Sequence, residues 1–169
     1  MIFSVLLLAG CGKRVLFSDS KNVDEQGWNM YEKCYFDVEV EDTLRVYDFF
    51  VDVRNSVDYN WSNLFLFIHT TFPDGSVCQD TLECPLADVE GNWLGKRSGH
   101  YVSNRYYLSK GIRFQNKGTY RFAVGHGMRE TDLKGIKYCT EYNDQASPGR
   151  TRQHGYSRKS LRCAEMRLW

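Results

Sequence analysis

The chain has 169 residues, with 22 Lys and Arg against 21 Asp and Glu, a formal net charge of +1, 42% hydrophobic residues and a mean hydropathy of -0.51. That balance excludes a strongly basic nucleic-acid binder and a multi-span membrane protein, and it fits one compact domain with an ordinary core. Six cysteines in this length are too few for a disulfide-stapled miniprotein.

At the N-terminus, MIFSVLLLAG leads from an apolar stretch, Val5 to Leu8, through small residues to Cys11. This reads as a signal-peptide core meeting a lipobox, Leu8-Ala9-Gly10-Cys11. A short apolar segment enters the membrane, and small side chains before the cysteine fit the cleft of the cleaving peptidase. The expectation is a lipoprotein signal peptide over 1–10. The thiol of Cys11 then takes a diacylglyceryl group and its freed amine a third acyl chain, such as palmitate. At about 0.8 kcal/mol per buried methylene, several chains hold a protein at a bilayer without a transmembrane helix. The competing reading is a buried strand over Met1 to Leu8 with Cys11 as an ordinary thiol. No Lys or Arg precedes the apolar run, which points to a start codon placed too late. Residues 11–32 then form a tether and lead-in, in which Lys13, Arg14 and Lys21 are solvated linker residues near the headgroups.

From Cys34 to Met128, alternation and β-branched or aromatic residues dominate. CYFDVEV at 34–40 sets Phe36, Val38 and Val40 against Tyr35, Asp37 and Glu39. RVYDFFVDVRN at 45–55 and LFLFIHTTF at 64–72 read as buried strands, the second ended by the turn Pro73-Asp74-Gly75. SVCQDTLEC at 76–84 returns as its hairpin partner, with Val77 on one face and Cys78, Asp80, Leu82 and Cys84 on the other. PLADVEGNWLGKRSG at 85–99 is a structured loop, because Leu86, Trp93 and Leu94 need something to bury against. HYVSNRYYL at 100–108 and TYRFAVGHGM at 119–128 complete the set, with Tyr120, Phe122 and Val124 facing one way and Arg121 and Ala123 the other.

With six or seven strands and no 3.6-residue period, the expected class is all-β, an antiparallel two-sheet β-sandwich of immunoglobulin-like topology. Gly118-Thr119-Tyr120 has the form of a tyrosine corner, in which the phenol bonds back to nearby backbone.

Catalytic and metal-binding patterns are missing. His69, His100, His126 and His154 stand alone, and HExxH, CxxC, GxSxG and phosphate-loop motifs are absent, so no catalytic residue, metal or cofactor is expected. His69 and His126 lie within strands and are expected to be structural. Asp37, Glu39 and Glu41 alternate about 7 Å apart along one strand face, as on a solvated surface. Trp61 and Trp93, with Tyr neighbours, are candidates for stacking on a sugar ring or a partner protein, against a core or loop-anchoring role. With Cys11 acylated, five cysteines remain. Cys78 and Cys84 lie roughly 20 Å apart if extended, too far for a disulfide, which needs Cα atoms within ~7 Å. At least one thiol stays unpaired, most simply Cys84.

The chain resembles the GldH family of gliding-motility lipoproteins, through LLLAGC at 6–11, SNLFLFIHTTFPDG at 62–75, DTLECPLADVEGNWLGKRSG at 80–99 and GTYRFAVGHGMRETDLKGI at 118–136. The resemblance covers nearly all of residues 1–137. It implies a non-catalytic outer-membrane lipoprotein facing the periplasm, associated with the gliding machinery and with the secretion apparatus linked to it. Its partners would be the membrane, through acylated Cys11, and other envelope proteins, with no nucleic acid.

The tail departs from the pattern. Tyr138 to Trp169 has no Val, Ile or Phe and carries six Lys and Arg against three Asp and Glu, whereas Met1 to Lys137 carries a net charge of -2. The expected division is therefore signal peptide 1–10, tether 11–32, β-sandwich 33–137 and atypical basic tail 138–169. A shifted reading frame after Ile136 or Lys137 explains such a tail, and a genuine basic segment docking on an acidic partner or on lipid is the alternative. A second functional reading, from a different class, is a surface glycan-binding module built on Trp61 and Trp93, which requires both rings exposed on one face.

Overall fold

A computed structural model describes residues 15–23 and 26–145, with side chains at 23 and 26–137. All regular structure in it is strand. In chain order these are β1 (Val15–Asn22), β2 (Trp28–Asn29), β3 (Cys34–Val40) and β4 (Tyr47–Ser56). They are followed by β5 (Asn63–Thr71), β6 (Val77–Pro85), β7 (Lys96–Ser98) and β8 (Tyr101–Ile112). Last come β9 (Gly118–His126), β10 (Asp132–Leu133) and β11 (Ile136–Gln145).

The alternation read from the sequence places the core. Phe36, Val38 and Val40 of β3 and Tyr120, Phe122 and Val124 of β9 are buried, as are Leu64, Leu66 and Ile68 of β5 and Leu82 and Cys84 of β6. From the other large sheet, Tyr47, Phe49, Val51 and Val53 of β4 and Leu108 of β8 join the same cluster. Phe49 and Phe122 meet across the two sheets with ring centroids 4.7 Å apart. Burying each such side chain contributes roughly 1.5–3 kcal/mol.

The sheets run β1-β11-β4-β8-β7 and β3-β9-β5-β6, all antiparallel, with a short β10-β2 ribbon beside them. Four of the pairings are nested: β1 with β11, β3 with β9, β4 with β8 and β5 with β6. That is a long hairpin folded over on itself, the strand order of an eight-stranded jelly roll. It corrects the expected immunoglobulin-like order, in which the first strand pairs with the second rather than with the last. The tyrosine corner is nevertheless present. The Tyr120 hydroxyl donates to the Asn116 carbonyl at 3.0 Å, so this latch belongs to the start of a strand and not to one topology.

The expected division departs from the strands in two places. β1 occupies much of the span expected as a tether, and Lys21 lies in it, opposite Cys139. β11 crosses residue 137 and pairs with β1 on one side and β4 on the other. Residues 146–169, most of the expected tail, lie outside the described residues.

The register defines two ends. At one, Val15 of β1 stands opposite Asp144, and Gln145 opposite Tyr47, which in turn faces Ile112. This end carries the connections 41–46, 72–76 and 113–117. The opposite end carries 57–62, 86–95 and the segments around β2 and β10.

Candidate functional site

The first candidate, the lipobox Leu8, Ala9, Gly10 and Cys11, lies outside the described residues. Its relation to the fold is set by chain length: Cys11 precedes the start of β1 at Val15 by four residues.

The second candidate, Trp61 with Trp93, lies at the opposite end. The β4–β5 connection and the loop after β6 are tied there by main-chain bonds from Leu86 and Ala87 N–H to the Ser62 carbonyl, at 2.7 and 2.9 Å. Trp61 is 45% exposed, and its indole N–H donates to Glu130 Oε1 at 3.1 Å. Trp93 is different: it bridges to Ala87 and packs half-buried against the core. The expectation of two exposed rings is therefore met by Trp61 alone, and Trp93 anchors its loop.

That loop is ordered as expected. Asp88 accepts from the Glu90 and Asn92 backbone N–H groups at 2.9 and 2.8 Å and from the Asn92 side-chain amide at 3.0 Å. These bonds, the Asn92 amide first, hold its carboxyl below the usual carboxylate range. Leu86 is fully buried, while Leu94, expected to be buried, is 51% exposed. Gly95 explains part of the Trp93-Leu94-Gly95-Lys96 motif. A Cβ there would lie 2.5 Å from the Ser103 carbonyl oxygen of β8, closer than any side chain tolerates.

Beneath these loops three buried or half-buried side chains bond to main-chain carbonyls. The Tyr106 hydroxyl donates to the Pro85 carbonyl and the Tyr59 hydroxyl to the Asn63 carbonyl, and burial pushes both phenol pKa values up. His126 is 3% exposed, stacks edge-on against Trp28 and donates from Nε2 to the Trp28 carbonyl at 2.9 Å. His126 is thus a structural histidine, and burial lowers its pKa. Cys84 is a buried thiol, pushed up by desolvation and therefore poorly nucleophilic. Cys78, by contrast, is disulfide-bonded.

The carboxylate row on β3 is a solvated face. Asp37 receives both Nε and Nη2 of Arg121, at 2.7 and 2.8 Å, and Glu39 accepts the Thr119 hydroxyl. Among the described residues, no group of three or more His, Cys, Asp or Glu is placed to hold a metal ion. No helix among them is long and apolar enough to cross a membrane.

Residues 15–139 match the family model described as GldH lipoprotein. A "Gliding motility lipoprotein GldH homolog" from Christiangramia forsetii is 31% identical over 137 residues, 80% of this chain and 83% of its own. The "Gliding motility lipoprotein GldH" of Flavobacterium johnsoniae is 28% identical over 131 residues, 78% of this chain and 80% of its own. Among solved structures, the tobacco streak virus coat protein overlaps 90% of this chain and 98% of its own at 10% identity. Its TM-score of 0.28 is too low to inform the fold.

Proposed function

Because the chain belongs to the GldH lipoprotein family, we propose that it is a non-catalytic lipoprotein of the outer membrane, held there by acyl chains on Cys11 and facing the periplasm. In this reading its β-domain contributes to the gliding machinery and its linked secretion apparatus by contact with other envelope proteins, and needs no cofactor.

The observation that carries the reading is where the family match starts. The match to the family model begins at residue 15, so in the sequence Leu8-Ala9-Gly10-Cys11 directly precedes the matched region. A cysteine in that place joins an anchor to a fold without interrupting either.

The test is fractionation of the native host beside a strain carrying Cys11→Ser. The expected result is wild-type protein in the outer-membrane fraction, and a variant that loses both that location and its crosslinks to envelope proteins. A variant that keeps the location and the crosslinks contradicts the reading.

A further inference from the structure

We infer that the domain sits directly on the bilayer, with the end that bears Val15, Leu44 and the 113–117 connection against the lipid headgroups. This rests on the reading of Cys11 as the acylated residue. It deepens that reading by naming the surface the lipid meets.

The argument starts from reach. The four residues from Cys11 to Val15 extend by at most ~14 Å, so β1 cannot begin far from the acyl chains. Val15 lies opposite Asp144, and the adjoining pair is Gln145 with Tyr47. Tyr47 is thus two strand spacings from β1, about 10 Å. The connection leading into Tyr47, residues 41–46, is therefore carried to within reach of the headgroups. β3, which feeds that connection, lies across from β1.

The second part is what this connection displays. Asp42 pins it three ways: Oδ1 accepts the Leu44 N–H at 2.9 Å, Oδ2 accepts Arg45 Nε at 2.7 Å, and the main-chain carbonyl accepts the Tyr47 hydroxyl at 3.1 Å. The pinned turn holds Leu44 outward at 81% exposure. Beneath it, the Tyr47, Phe114, Tyr120 and Phe72 rings pack in succession, with centroids 4.6 to 5.8 Å apart. A stiff aromatic base thus supports an apolar tip, and an apolar side chain held at an interface gains by entering the headgroup boundary. The same end carries Arg45, Lys110, Arg113 and Lys117 alongside Glu41, Asp42, Asp48, Asp74 and Asp144, so Leu44 and the reach of the anchor, and not net charge, select it. In the sequence Lys13 and Arg14 fall between Cys11 and β1, and cations next to an acylated residue favour an anionic surface. Seated this way, the domain turns Trp61 and the 86–95 loop away from the membrane.

The test is amide hydrogen exchange on the full acylated chain in vesicles of phosphatidylethanolamine and phosphatidylglycerol, compared with the Cys11→Ser chain in solution. Intact mass of the same samples reports acylation. The expected result is slowed exchange over 41–46, 72–76 and 113–117, with 57–62 and 86–95 unchanged. Leu44→Asp should lose the protection over 41–46, whereas Val89→Asp, at the opposite end and fully exposed, should keep it. An acylated chain that shows protection at 57–62 or 86–95, or at none of these segments, overturns the seating and leaves the anchor standing. A chain from the native host that carries no acyl mass overturns both.

Discussion

The Tyr120 hydroxyl donates to the Asn116 carbonyl and accepts the Asn116 backbone N–H, at 3.0 and 3.3 Å, closing the β8–β9 connection onto the strand that follows it. Tyr120→Phe removes both bonds and leaves the ring packing intact. Asn116 is exposed and regains water, so the expected loss is about 1 kcal/mol. Urea unfolding should show a lower midpoint with an unchanged slope.

Arg105 has two roles on the outer face of its sheet. It makes a bidentate pair with Asp52, at 2.7 Å for each bond, and its guanidinium lies 3.9 Å from the centroid of Phe50. Phe50 is 3% exposed although its strand neighbours Phe49 and Val51 take the inward face. Asp52→Asn breaks only a surface ion pair, worth up to about 1 kcal/mol. Arg105→Ala also uncovers the ring, and should cost about 1 kcal/mol more. Equal losses for the two variants, measured by thermal unfolding, would refute the covering role.

Burial sets a pH dependence at His126. Its Nε2–H already donates to Trp28, and Nδ1 has no partner, so a protonated ring would bury a second N–H unpaired. The folded-state pKa is therefore held below the ordinary 6.5. As pH falls through 6.5, the unfolded chain takes up a proton that the folded chain refuses, so stability falls until the lowered folded pKa is reached. The slope is at most about 1.4 kcal/mol per pH unit for one group. His69, lowered by desolvation and then by Lys33, adds in the same direction. His126→Gln should flatten the decline of the melting temperature as pH falls below 6.5, and an unchanged decline would assign it elsewhere.

Gly95→Ala should destabilise by about 1–3 kcal/mol, because the new Cβ meets the Ser103 carbonyl and the Asn104 side chain at 2.5 to 2.6 Å. Gly91→Ala, in the same loop, meets nothing within 4 Å but is held at a φ of +85°. It loses only through backbone strain, of order 1–2 kcal/mol. Chemical denaturation of both variants separates the two causes if an Asn substitution, which tolerates the left-handed conformation, rescues position 91 and not position 95.

Strand existence and facing were legible where one face is buried. The alternation of Phe36, Val38 and Val40 against Tyr35, Asp37 and Glu39 marked β3, and Leu82 and Cys84 marked the inner face of β6. Pairing was not legible. Alternation says which way a side chain points and nothing about its partner strand, so the nesting of β1 with β11 and of β3 with β9 gave no local signal. β1, VLFSDSKN, and β11, IKYCTEYNDQ, are too polar to stand out, so one strand fell within the expected tether and the other was cut by the expected start of the tail. At the candidate sites, Trp61 was found by its residue type, but its partner Glu130 is 69 positions away in sequence. The pinned Leu44 turn offered only an Asp two residues ahead, a weak cue.

The central claim is that Cys11 carries the anchor, and the most direct measurement is the intact mass of the protein purified from its native host. The account predicts loss of residues 1–10 and a gain equal to a diacylglyceryl group plus one further acyl chain, both absent from the Cys11→Ser variant. A mature chain that keeps an unmodified Cys11 would contradict it.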